Sequence, residues 1–80
     1  MRVSNIRRMI KRDDKVAIYY HGADAFEDRP LYFGSLYVQE AVEFFDRQIV
    51  AITVEEFMGD GYWGYNMALW IWPEINVEDE

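Results

Sequence analysis

The side chains able to do covalent chemistry are few. A nucleophilic mechanism needs a hydroxyl or thiol beside a positioned base, and the chain offers no cysteine, one threonine (Thr53), two serines (Ser4 and Ser35) and one histidine (His21). Ser4 and Ser35 stand where helices are expected to begin, which makes capping their natural role. His21 follows a strand-forming run and precedes Gly22, a place for a partly exposed polar side chain rather than a base or ligand. Metal binding needs several convergent ligands. No His-Glu pair stands at helical spacing, and Asp24, Glu27 and Asp28 lack the alternating oxygens and closing glutamate of a calcium loop. No catalytic residue, metal ligand or cofactor-binding residue is assigned, and the chain is expected not to be an enzyme.

Gly59, Gly61 and Gly64 match the spacing of a dinucleotide fingerprint, but that motif works only where a strand gives way to a helix N-terminus that holds the pyrophosphate. A strand is expected to follow here. Asp60, Tyr62 and Trp63 would repel and crowd a phosphate, so the segment is a glycine-rich turn.

Recognition is better supplied than catalysis. Trp63, Trp70 and Trp72, with Tyr62 and Tyr65, fall within residues 62–72. In a strand Trp70 and Trp72 point one way and Leu69 and Ile71 the other, so helices on one face would leave one set open on the opposite face, with Tyr19 extending it. Exposed aromatics of this kind compose binding hot spots. The candidate acidic contacts are Asp24, Glu27 and Asp28 in one loop and Glu40, Glu43 and Asp46 on the polar side of a helix. These six carboxylates and Tyr19, Trp63, Trp70 and Trp72 are the expected partner-binding residues.

Charge points the same way because it is segregated. Residues 1–15 carry six basic side chains against Asp13 and Asp14, a local +4, whereas residues 16–80 carry Arg29 and Arg47 against thirteen carboxylates, a local −11. Such a field repels nucleic acid over most of the surface and attracts basic partners, more weakly as salt rises. The basic side chains of residues 7–12 are better suited to a solvated face, or to a contact with the acidic sheet of the same or a second chain, than to binding nucleic acid directly.

The elements that must position these residues follow from periodicity. Val3, Ile6, Met9 and Ile10 recur at helical spacing after Ser4 or Asn5 as a cap. Residues 15–21 alternate as a strand, with Val16, Ile18 and Tyr20 on one face. Residues 22–30 are a polar loop around Phe26, and 31–34 resume β character. From Ser35, the apolar positions Val38, Ala41, Val42 and Phe45 predict a second amphipathic helix. Residues 47–54 are expected to be a central strand, with Ile49, Ala51 and Thr53 on one face and Val50, Ile52 and Val54 on the other. Residues 57–65 are expected to be a turn region, and 66–72 the last strand.

The fold class this predicts is α+β, a small and mostly antiparallel four-stranded sheet with two short helices in the order α-β-β-α-β-β. Its core would set Ile6, Ile10, Val42 and Phe45 against Ile18, Ile52 and Leu69. At 80 residues and 51% apolar composition, one domain over 1–73 is expected, followed by an acidic tail over 74–80. No window is apolar for long enough to span a bilayer, and without cysteine the default compartment is the cytosol.

The stretches Ser4-Asn5-Ile6 to Ile10-Lys11, Asp13-Asp14-Lys15-Val16, Leu31-Tyr32-Phe33-Gly34-Ser35-Leu36, Phe45-Asp46-Arg47-Gln48-Ile49-Val50 and Ala68-Leu69-Trp70-Ile71 resemble small acidic proteins of Gram-positive phages and prophages. Several proteins of that size, acidity and element order are anti-CRISPR inhibitors, which imitate DNA in charge and block a guide-RNA nuclease. The resemblance implies a non-enzymatic inhibitor whose partner is a basic, nucleic-acid-binding host protein. No inhibitory residue is carried over, because no shared motif places one. A self-associating scaffold module, a homodimer through the aromatic sheet face, stays open beside it. So does capture of a small aromatic or nucleotide ligand.

Overall fold

A computed structural model describes residues 1–25, 27–59 and 62–73, with side chains over 1–25, 27–56 and 66–73. The elements in chain order are α1 (Val3–Arg7), β1 (Lys15–Tyr20), β2 (Tyr32–Ser35), a 3-10 helix (Gln39–Phe44), β3 (Ile49–Gly59) and β4 (Tyr62–Ile71). The strands form one sheet in the order β2-β1-β4-β3.

The sheet is mixed rather than mostly antiparallel. β1 pairs antiparallel with β2 and β4 antiparallel with β3, but β1 and β4 run parallel, with Val16 opposite Met67 and Tyr20 opposite Ile71. A chain that returns to its first strand after a long excursion can add the last strand in either direction, and alternation alone does not carry that choice.

The parallel pair also corrects which strands are central. β1 and β4 are inside, and Val16, Ala17, Ile18 and Tyr19 are buried in succession, the mark of a strand covered on both faces. β3, expected to be central, is an outer strand, and Ile52 and Val54 are 43% and 66% exposed. Its alternation is broken by an irregularity at Val50: Ile49 pairs with Ile71 and Ala51 with Trp70. Ile49 therefore joins the core face instead of sharing a face with Ala51 and Thr53.

Helix α1 is shorter than its periodicity suggested. Its N-cap is Arg2, whose N–H donates to the Asn5 side-chain oxygen at 2.8 Å, a capping arrangement built by Asn5 from inside the helix. Val3 and Ile6 are buried, and Ile10 packs against the same core from beyond the helix. Residues 1–3 bridge to 47–49: Ile49 N–H donates to the Met1 carbonyl at 2.8 Å and Val3 N–H to the Arg47 carbonyl at 3.1 Å.

The second helix is 3-10 rather than α. With three residues per turn, Ala41 and Phe44 fall in line and are buried, Val42 is turned out of that line and 47% exposed, and Val38, the extended N-cap before the helix, is 41% exposed. Ser35 does not cap it. Its hydroxyl donates to the Arg12 carbonyl at 2.6 Å and accepts the Tyr37 N–H at 2.9 Å.

Residues 57–59 and 62–65, expected to be a turn, belong to β3 and β4, with Phe57 opposite Gly64 and Gly59 opposite Tyr62. Asp60 and Gly61 between them, Phe26, and the acidic tail over 74–80 lie outside the described residues.

The main core lies between the helical layer and one sheet face. Val3, Ile6, Leu36, Ala41 and Phe44 meet Val16, Ile18, Leu69 and Ile71, with Ile10 and Phe45 at the margin; Val42 and Ile52, expected there, are exposed. The other face carries a second, smaller cluster of Ala17, Tyr19 and Ala68, against which Ala23, Ala25, Phe33 and Trp70 pack.

Candidate functional site

The second face positions the aromatic candidates. Parallel pairing sets Tyr19 directly opposite Trp70, and their rings stack with centroids 4.8 Å apart and planes 18° from parallel. One step further along, His21 meets Trp72 edge-on at 5.0 Å and 66°. The His21 N–H donates to the Ile71 carbonyl at 2.7 Å, which extends the ladder past the strand ends.

Trp70 is held on its other side by β3. Its indole Nε1 donates to Thr53 Oγ1 at 2.8 Å, and Thr53 in turn donates to Glu55 Oε2 at 2.7 Å. Thr53 therefore serves as a relay between an indole and a carboxylate. Trp70 is half-buried, so part of a large ring whose orientation is fixed by stacking and a hydrogen bond meets solvent beside a carboxylate.

Tyr19 departs from expectation. It is 1% exposed, covered by Trp70 and by the loop after β1, where its hydroxyl donates to the Ala25 carbonyl at 3.3 Å. It supports a surface rather than forming one. Trp72 is half-buried at the end of β4, where the Arg47 guanidinium donates to the carbonyls of Trp72 at 3.0 Å and Pro73 at 2.7 Å. The side chain of Trp63 lies outside the described residues.

The six acidic candidates are all exposed, but they form two surfaces. Asp24, Glu27 and Asp28 belong to the loop whose Ala23 and Ala25 cover the Tyr19 face. Asp28 Oδ2 accepts the Asp24 N–H at 2.8 Å, and the Asp24 carbonyl accepts the N–H groups of Glu27 at 3.2 Å and Asp28 at 2.7 Å, so Asp28 shapes the turn that presents the other two. Glu40, Glu43 and Asp46 lie on the 3-10 helix and just past it, whose Ala41 and Phe44 pack on the opposite sheet face. The loop acids share a side with the aromatics, and the helical acids do not.

Sequence reasoning missed Thr53 and Glu55 as parts of this surface. Their i, i+2 spacing placed both on one face, but the register that brings Thr53 diagonally to Trp70 is set by the long β3–β4 hairpin, which runs unbroken from Ala51 opposite Trp70 to Gly59 opposite Tyr62 through residues whose composition reads as a turn. The arrangement suits binding: an ordered indole and nearby carboxylates fit a cationic or apolar side chain of another molecule. Among the described residues no three His, Cys, Asp or Glu converge to hold a metal ion, and no helix is long and apolar enough to cross a membrane.

No family model, curated protein or solved structure matches the chain.

Proposed function

We propose that this protein is a non-enzymatic inhibitor, encoded by a phage or other mobile element, that acts in the host cytosol by occupying the basic groove of a nucleic-acid-binding protein such as a CRISPR nuclease. The observation that carries this reading is the half-exposed Trp70, fixed between Tyr19 and Thr53, on the same side of the sheet as the acidic loop. A groove lined with Lys and Arg meets carboxylates there through charge-assisted hydrogen bonds, and the ring supplies a central apolar anchor that loses little freedom on docking. Asp24 and Glu27 serve as the charged rim, Trp70 and Trp72 as the anchors. Glu40, Glu43 and Asp46 present a separate acidic surface to the same kind of groove.

The test is affinity capture from bacterial lysate with two charge-reversed baits. Asp24→Lys with Glu27→Lys is expected to lose a basic partner that the wild type retains, and Glu40→Lys, Glu43→Lys and Asp46→Lys together are expected to weaken it less. Retention of the partner by both baits would exclude the acidic-surface reading.

A second reading is a self-associating module. It is favoured by the exposed Ile52 and Val54 on β3, beyond which no further strand of the sheet lies among the described residues, since an apolar outer strand is a template for a second copy. It predicts multimers that salt does not dissolve and that Trp70→Ala, Trp72→Ala or Val54→Lys does.

A further inference from the structure

On the helical side, remote from Trp70, two guanidinium groups converge on one aromatic ring. Arg7 Cζ lies 4.4 Å from the centroid of the Tyr37 ring and 5.5 Å from that of Phe45, and Arg12 Cζ lies 5.6 Å from the Tyr37 ring. The backbone is pinned to bring them there. The Tyr37 hydroxyl donates to the Arg7 carbonyl at 2.6 Å, and Ser35 links the Arg12 carbonyl to the Tyr37 N–H. Residues far apart in the chain are thus tied by hydrogen bonds into one arrangement at the end of β2.

Among the described residues neither guanidinium is paired with a carboxylate, and Arg7 Nε is buried with no acceptor. The nearby Asp14 carboxylate is engaged by the Lys11 N–H at 2.9 Å. Burial and then the charge of Glu40, three residues beyond Tyr37, push the Tyr32 phenol above its usual range. Two like charges held near one ring repel unless an anion joins them, and each guanidinium carries the planar fork that bonds an oxyanion bidentately.

We propose that Arg7 and Arg12, ordered on the Tyr37 ring, form a site for the phosphoryl dianion of a small phosphorylated molecule. A dianion with three acceptor oxygens matches two guanidinium forks in charge and in hydrogen bonds, where a single carboxylate satisfies one. A small ligand fits better than a polyanion, because residues 16–80 carry a net −11 that a nucleic-acid backbone would have to cross.

The experiment titrates inorganic phosphate, then a sugar phosphomonoester, then a short single-stranded oligonucleotide into the full chain at constant ionic strength, following arginine Nε–H signals by NMR. Phosphate and the monoester are expected to shift Arg7 and Arg12 together and saturably. Arg12→Gln, at an exposed position that should leave the fold intact, is expected to weaken the response on the order of tenfold, and Arg12→Lys by less, since lysine keeps the charge and loses the fork. No saturable shift with either small ligand would overturn the proposal, as would an undiminished response in Arg12→Gln. Tighter binding of the oligonucleotide than of the monoester would overturn the assignment to a small ligand.

Discussion

Tyr19 and Trp70 are direct neighbours across the one parallel junction of the sheet, with ring centroids 4.8 Å apart. One ring is buried and the other half-open, so the pair converts core packing into an ordered surface. The indole N–H is tied to Thr53 on the next strand, and Trp70 is thereby fixed from both flanking strands.

Thr53→Val removes the hydroxyl between Trp70 and Glu55 while keeping the side-chain shape. A loss of about 1 kcal/mol is expected in chemical denaturation, with Thr53→Ser close to wild type. Equal losses for the two substitutions would deny the relay.

The strand order predicts a contrast between two isoleucines that sequence alone treats alike. Ile18, fully buried on β1, should lose about 2–5 kcal/mol on truncation to alanine. Ile52, exposed on β3, should change stability by about 0.5 kcal/mol or less on replacement by threonine. Comparable losses at both sites would contradict the outer position of β3.

Gly34 has φ of 153°, and a Cβ there would lie 3.0 Å from the Tyr32 hydroxyl and 3.4 Å from Cζ. Gly34→Ala is expected to cost about 1–3 kcal/mol through backbone strain and this clash. Adding Tyr32→Phe removes the closest atom, so the double variant should lose less than the two single losses together, measurable as a coupling energy.

Tyr32 also gives a pH dependence. Burial and then Glu40 raise its phenol above the ordinary value of 10.0. The unfolded chain therefore ionises first as pH rises. The stability from this group is fully present below about pH 10 and is lost as pH climbs through the folded value. Denaturation across the alkaline range should show a decline that Tyr32→Phe makes shallower.

What the sequence made legible was the set of elements with strong periods. The alternation of residues 15–21, the buried Ile6 and Ile18, the exposed loop acids and the α+β class all follow from one-dimensional patterns. The strand order does not, because the β1 and β4 pairing is chosen by packing across the whole chain. Val42 and Phe44 exchange burial because a 3-10 turn advances by three residues, a difference of geometry that hydrophobicity does not encode. Half of the candidate site was visible as Trp70 and the loop acids. Thr53 and Glu55 were hidden because residues 57–65 read as a turn and so fix no hairpin register, and Tyr19 lies on the expected face beside Trp70 but is buried, because the loop that covers it is polar in composition yet sends Ala23 and Ala25 inward.

The most direct test of the proposed inhibitor is capture from bacterial lysate at low and high salt, with captured proteins identified by mass spectrometry and the bait's own mass in solution measured alongside. The account predicts a nucleic-acid-binding protein retained at low salt, released at high salt and lost from a Trp70→Ala bait. Recovery of nothing beyond a salt-insensitive multimer of the bait would contradict it.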